Sequence, residues 1–341
     1  MMIILTPEQE SVINTALSSS QQVFRIGGYA GTGKTTIAQE ILRRKPGGVP
    51  CAFMGKAVEQ LRKKGVKKAQ TIHSTIYRFD RKSMRFFKKP KKDILGTYFY
   101  IDEASTVNQR LWEDLLSYNM KVILTGDHGQ LEPVGKNPNL MLDLDVELST
   151  IHRQAADNPI IQESMYVRAS GKYSDRFVAD TDPVSWYRST PGDKIILCGF
   201  NKTRHSLNRE LHDNPSNPLI PGRPIIILKN DPPFYNGMVK VIRKVNKWHD
   251  DMVANVTFED DTISDVGLDS IGRSMNQRDL YDAFPKGLLA IDHAYAITTH
   301  KSQGSEWEHV HIVDEQCDLW SPVRWRYTAV TRASETFTVT L

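Results

Sequence analysis

Eight residues restrict the fold of this chain more than any others. Residues 28–35 read Gly-Tyr-Ala-Gly-Thr-Gly-Lys-Thr and fit the pattern G-x-x-x-x-G-K-[ST]. They follow the apolar run VFRIGG and lead into KTTIAQEILRR, which has helical spacing. Glycines let successive backbone N–H groups wrap an anion, and the helix that follows adds the positive end of its dipole. Gly28, Gly31 and Gly33 are therefore predicted to cradle the phosphates of ATP. Lys34 would reach the β- and γ-phosphates, Thr35 would offer its hydroxyl to Mg2+, and Thr36 would complete the nucleotide-binding turn. A strand, loop and helix of this kind belong to an α/β fold on a parallel sheet, so fold class and nucleotide chemistry are predicted together.

The first half continues in that manner. CAFMG, YFYIDEA and KVILTGD read as buried strands separated by helical patterns, as in a parallel sheet covered on both faces. Asp102 and Glu103 close the second of these runs. Ionised carboxylates at such a point are costly unless they serve something. Asp102 is predicted to hold Mg2+ and Glu103 to polarise the attacking water, although a helix cap after a strand would use the same residue types. VILTGDHGQLEPVG ends a third strand and offers Gly126, Asp127 and Gln130 as sensors of the γ-phosphate, or as a turn with a capping aspartate.

From about Ser149 a second α/β region begins. Between about residues 222 and 290 short β-like runs appear, with Asn236-Gly237 as a turn signal, which predicts a small all-β insert. The α/β texture then resumes. Two arginines, Arg153 and Arg332, could stabilise charge on a departing phosphate, an effect of roughly 10³–10⁵ in rate in related chemistry, although arginines mostly do no more than face solvent. Thr298, Thr299, His300, Lys301, Ser302 and Gln303 concentrate donors suited to backbone phosphates.

The net charge of +4 is mild, but its distribution is uneven. Residues 62–68 and 78–92 are strongly basic, and the second run is interleaved with Tyr77, Phe79, Phe86 and Phe87. Cations beside rings suit single-stranded nucleic acid, and a solvated charged face would look similar. No apolar run is long enough for a membrane span, and the N-terminus lacks a basic leader, so a cytoplasmic protein is expected. Cys51, Cys198 and Cys317 lie far apart and offer neither a disulfide framework nor a metal spacing.

With these residues assembled, the chain resembles a superfamily 1 DNA helicase of the RecD/Dda-like group, across nearly its whole length. LTPEQESVI is similar to the adenine-recognising Q motif, which points to Gln9. GYAGTGKTT, IDEAS, LTGDHGQLEPVG, STIHRQ, AYAITTHKSQGSEWEHV and YTAVTRA are similar to motifs I to VI, in the family's order. The resemblance implies two RecA-like domains with ATP between them: residues 1–148, carrying a β-hairpin wedge at 78–96, and residues 149–224 with 291–341, carrying an SH3-like insert at 225–290.

It further implies an ATPase site of Lys34, Thr35, Asp102, Glu103, Gln130, Arg153 and Arg332, with Gly304 and Glu306 meeting the γ-phosphate and the ribose. Lys56, Thr71, His73, Phe86, Phe87, Asn201, Thr299, His300 and Lys301 would contact DNA. Where the family reads APTGKAA this chain has AFMGKAV, so Phe53 and Met54 replace a Pro-Thr pair. The implied activity is ATP-dependent translocation on single-stranded DNA, 5′ to 3′, with unwinding of forked duplexes by a monomer. A single-strand-binding protein or replisome component is an implied partner, and the end soon after motif VI reads as a minimal motor. A translocase without unwinding, a viral-type RNA helicase and a nucleotide switch share the same ATPase residues.

Overall fold

The structure is a computed structural model that describes residues 5–53, 55–80, 85–132, 138–151, 157–231 and 234–341, apart from the side chains of Lys56, Phe79, Asp80, Arg85 and Thr106. It divides into two compact units, Met1–Ala169 with Val323–Tyr327, and Ser170–Pro322 with Thr328–Leu341.

The first unit opens with the helix Pro7–Ser18. Thr6 caps it, Pro7 takes the first position, and Thr6 and Gln9 exchange side-chain hydrogen bonds in a capping box. Its strands are β1 (Val23–Gly28), β2 (Gly48–Ala52), β3 (Gln70–Thr71), β4 (Tyr77–Asp80), β5 (Arg85–Lys88), β6 (Tyr98–Asp102), β7 (Lys121–Gly126) and β8 (Val146–Leu148). Among the described residues a parallel sheet runs β3-β2-β6-β7-β1-β8. Helices bury both faces, which is why Phe99, Tyr100, Ile101 and Val122, Ile123, Leu124 are apolar at consecutive positions and all inaccessible to solvent. The order β6-β7-β1 brings the carboxyl ends carrying Asp102, Gly126 and Gly28 to one edge of the sheet, where ligands bind in open α/β sheets.

The hairpin expected within residues 78–96 is present as antiparallel β4 and β5, with Phe79 opposite Phe86. Its tip, residues 81–84, lies outside the described residues. Its base is fastened by Tyr118, whose hydroxyl lies 2.7 Å from the Lys89 carbonyl and 3.1 Å from that of Ile76.

In the second unit, β9 (Lys194–Cys198), β15 (Ala296–Thr298), β16 (Trp307–Val313) and β17 (Ala333–Thr340) form a parallel sheet in the order β15-β9-β16-β17. The predicted β-rich insert is a closed barrel of β10 (Pro224–Ile227), β11 (Val239–Asp250), β12 (Val253–Phe258), β13 (Ile263–Gly267) and β14 (Leu288–His293). Ile225, Ile227, Val256, Phe258 and Ile291 fill it. Closure requires β10 to pair with β14, so the barrel strands span residues 224–293, a little wider than the expected 225–290. Lys229 is buried in the barrel, and its ammonium donates to the Phe284 and Pro285 carbonyls just past the helix Gln277–Ala283, where cations are stabilised.

The first unit does not end at residue 148 as expected but runs through the helix Pro159–Ser170. Arg168 of that helix lays its guanidinium over the Tyr29 ring, 3.1 Å from the centroid, and so ties the helix to the glycine-rich loop. No helix among the described residues is long and apolar enough to cross a membrane.

Candidate nucleotide site and DNA-contact residues

The loop between β1 and the helix Lys34–Arg44 has the conformation its glycines predict. Gly31 and Gly33 have φ of 81° and 82°, a region that other residues rarely enter. Gly33 is the N-cap and supplies no side-chain cap, so the helix's first amides are left to the loop and to a ligand. A Cβ on Gly28 would lie 2.6 Å from Thr32 Oγ1, which itself donates to the Tyr29 carbonyl. Lys34 Nζ donates to the carbonyls of Gly28 at 2.7 Å and Tyr29 at 2.9 Å, holding its charge inside the cradle. Thr35 and Thr36 stand half-buried on the first turn.

Asp102 is held in place by a neighbour the sequence did not announce. Thr125 of β7 donates to Asp102 Oδ1 at 2.8 Å, and the Tyr100 hydroxyl donates to Thr125 Oγ1 at 3.0 Å. Burial and the Asp102 charge hold the Tyr100 phenol well above its ordinary range, so it stays a neutral donor. Glu103 follows with φ 52° and ψ 46°. A non-glycine residue in the left-handed region is strained, and such strain concentrates where a side chain must be aimed. The donor set suits a nucleotide with its cation: an ammonium, helix-start amides, a hydroxyl and an oriented carboxylate share one sheet edge.

Of the third predicted cluster, Asp127 and Gln130 are both buried. Asp127 accepts from the Gly129 N–H at 3.0 Å, from the Tyr327 hydroxyl at 2.7 Å, and from Gln130 Nε2 at 3.4 Å. Asp127 is thus more than a turn cap. Tyr327 also accepts from the Ala30 N–H in the phosphate loop at 2.9 Å. Tyr327, Tyr29 and Arg168 are functional neighbours that the motif positions do not point to. For Tyr327 the sequence does carry a signal, since it opens the YTAVTRA run that also holds Arg332.

Several predicted contacts have local duties. Gln9 is buried, its carboxamide oxygen accepts from the Thr6 N–H at 3.1 Å, and its own N–H donates to Thr6 Oγ1 at 3.2 Å. The T-x-x-Q spelling at residues 6–9 was legible as a capping box. Thr71 is buried, and its hydroxyl accepts from the Ser74 N–H at 3.1 Å as the N-cap of the helix Ile72–Ile76. His73 packs between the rings of Tyr77 and Phe86, with centroids at 4.7 and 4.5 Å, and burial pushes its pKa down. Phe86 and Phe87 are 40% and 44% exposed, so both are partly accessible to solvent. The Lys56 side chain and Arg153 lie outside the described residues.

In the second unit Thr299 is fully buried, with its hydroxyl 3.4 Å from the Cys198 carbonyl. His300 packs against Trp320, centroids 5.3 Å apart, and burial lowers its pKa. Burial, with Arg204 nearby, lowers Lys301 to about 8. Asn201 begins the helix Asn201–His212 and is exposed. The start of that helix is taken by Glu315, which accepts from the Gly199 N–H at 2.7 Å, the Phe200 N–H at 3.0 Å and the Thr203 hydroxyl. Gly304 has φ 71° and Glu306 is exposed. Arg332 is buried and donates to the carbonyls of Thr328 at 3.1 Å and Ser305 at 3.0 Å.

Comparison with known proteins adds a family and a fold. The AAA domain family matches residues 4–186, and the UvrD-like helicase C-terminal domain matches residues 293–340. The chain is 26% identical to the ATP-dependent RecD2 DNA helicase of Deinococcus radiodurans over 98% of its own length. It spans about half of that relative, 48% of its length. Its fold resembles a structure of two coordinating Pif1 helicases concerned with DNA unwinding at forked duplex DNA, with a TM-score of 0.64 at 19% identity, covering 99% of this chain and 92% of the other. It also resembles the Bacteroides Pif1 helicase in complex with ADP-AlF3 and single-stranded DNA, with a TM-score of 0.63 at 19% identity and the same coverage. The resemblance to superfamily 1 helicases is borne out at the level of family and fold.

Proposed function

We propose, on the premise that this chain belongs to the AAA domain family, that it is an ATP-dependent DNA helicase. The observation that carries the reading is the sheet edge itself, where Lys34 and the glycine-rich loop, the Asp102–Glu103 pair and the Asp127–Gln130 pair end neighbouring strands β1, β6 and β7. ATP is the substrate. Its phosphates would take the amides of residues 31–35 and the Lys34 ammonium. Thr35 and Asp102 would hold Mg2+, which when bound neutralises charge on the β- and γ-phosphates. Glu103 would accept the proton of the attacking water, and Gln130 would orient that water. Arg153 and Arg332 are the cations assigned to the developing phosphate charge, and Gly304 and Glu306 to the γ-phosphate and ribose.

Single-stranded DNA is proposed as the track. A backbone grip by Lys56, Asn201, Thr299, His300 and Lys301 would be independent of sequence and weaker at high salt. Exposed Phe86 and Phe87 on the β4–β5 hairpin support a wedge that stacks on the last base pair of a fork, and the barrel supports an SH3-like role in holding the strand. The relative named as a DNA helicase and the Pif1 structures with single-stranded and forked DNA favour this reading over a nucleotide switch.

Strand displacement on duplexes with a 5′ tail, a 3′ tail or blunt ends is the decisive test. Unwinding of the 5′-tailed substrate alone, dependent on ATP, is expected. ATP turnover with no displacement on any substrate would reassign the chain as a translocase, and stimulation of turnover by RNA but not DNA would overturn the DNA assignment. Replacing Phe86 and Phe87 together by alanine should preserve DNA-stimulated turnover while unwinding falls about ten-fold, in line with the stacking energy of a base.

A further inference from the structure

We infer that Tyr327 is a positioning residue for nucleotide hydrolysis, acting through Asp127 on Gln130. The inference rests on the nucleotide-hydrolysing reading above and adds a residue to it. Four groups form one path: the Ala30 N–H donates to the Tyr327 oxygen, the Tyr327 O–H donates to Asp127 Oδ2, and Gln130 Nε2 approaches that same oxygen at 3.4 Å. The tyrosine hydroxyl accepts at one side and donates at the other from a single buried oxygen, whereas a phenylalanine would keep the packing and lose both bonds.

Burial makes the path consequential. Asp127 is 1% exposed and Tyr327 fully buried, so the carboxylate depends on the donors the protein provides. Without the Tyr327 hydroxyl, Asp127 keeps Gly129 N–H and the longer contact to Gln130. It is then driven to draw Gln130 Nε2 closer or to admit water. The first outcome turns the Gln130 carboxamide directly, and the second places a competing water beside it. That matters because Gln130 Oε1 is buried and has no hydrogen-bond partner among the described residues, which fits an acceptor reserved for a reacting water.

The ring is positioned independently of the hydroxyl. It packs edge-to-face on Tyr29, with centroids 6.1 Å apart, and Gly129 passes so close that a Cβ there would lie 2.8 Å from Tyr29 Cε1 and 3.2 Å from Tyr327 Cε1. Burial and the neighbouring Asp127 hold the phenol well above its ordinary range, so it remains a donor at any working pH.

The test compares Tyr327→Phe, Gln130→Ala and the double variant, with ATP turnover measured under saturating oligo-dT. Tyr327→Phe should lower kcat about ten-fold while KM for ATP stays within about two-fold, since losing one donor to a buried carboxylate is of that order. Gln130→Ala should lower kcat, and adding Tyr327→Phe to it should cost less than about two-fold more, because both act on one path. Full turnover by a folded Tyr327→Phe protein, or independent and multiplicative losses in the double variant, overturns the inference. A loss of Tm with unchanged kcat gives Tyr327 a purely structural role and also overturns it. These outcomes are separable from failure of the broader reading, in which the unaltered chain itself would not hydrolyse ATP.

Discussion

Each of the two units contains a parallel sheet in which a strand turns sharply into a helix, and the two turns have opposite chemistry. In the first, β1 leads through left-handed glycines to Lys34–Arg44, a helix without a side-chain cap and with an ammonium beside its start. In the second, β9 leads through Gly199 and Phe200 to Asn201–His212, and the amides there are answered by the Glu315 carboxylate. Both helix starts carry the same positive dipole end. One leaves it to a foreign anion and the other satisfies it with an anion of its own. Strand–turn–helix topology therefore does not make a phosphate site; the identity of the group that answers the amides does.

The largest expected effect comes from breaking the open turn. Lys34→Ala should reduce ATP turnover on the order of a thousand-fold, as loss of a charged group facing the transferred phosphate does, while single-stranded DNA binding persists in a mobility-shift measurement. Turnover within ten-fold of the original would remove the phosphate-loop assignment. A smaller effect is expected from the sealed turn. Glu315→Ala removes the acceptor of two backbone amides and a hydroxyl, worth about 1–2 kcal/mol, and should lower Tm by a few degrees, with KM for ATP unchanged. An unaltered melting curve would mean that the Glu315 bonds add nothing to stability, and the contrast between the two turns would lose its meaning.

The smallest effect is a pH dependence at Lys301. Its folded pKa, about 8, lies below the ordinary 10.5, so the folded form binds fewer protons than the unfolded one between those values. This group's contribution to stability therefore rises with pH across that window. The charge available to a phosphate falls over the same range. Affinity for oligo-dT should drop a few-fold from pH 7 to 9, and Lys301→Arg should flatten the profile, since arginine stays charged throughout. A profile identical in both proteins would take Lys301 out of the DNA contact.

Much of the site was legible because its signals are local. The glycines of residues 28–33 announce a turn that requires positive φ, and the apolar run before Asp102 announces a buried strand with carboxylates at its end. Asn236-Gly237 and the short β-like runs announced a β insert, found as a barrel. Gln9 shows the limit of local reading: one T-x-x-Q spelling fits a nucleotide motif and also forms a capping box, and spacing alone does not separate the two uses. The first unit's extension to Ala169 was not legible, because a helix following a loop carries no mark of which sheet it will cover.

The amino-acid sequence by itself determined the phosphate loop, the acidic strand end, the alternation of strands and helices, and the change of texture at the barrel. Each is written in the spacing of a few adjacent residues, where backbone geometry and hydrophobic period act directly. Only the tertiary structure decided that Tyr327 meets Asp127, 200 residues away, and that Glu315 closes the helix start at Gly199, 116 residues away. Those partners are chosen by the desolvation of buried polar groups, which must find donors or acceptors wherever packing brings them, and no local pattern records where that will be.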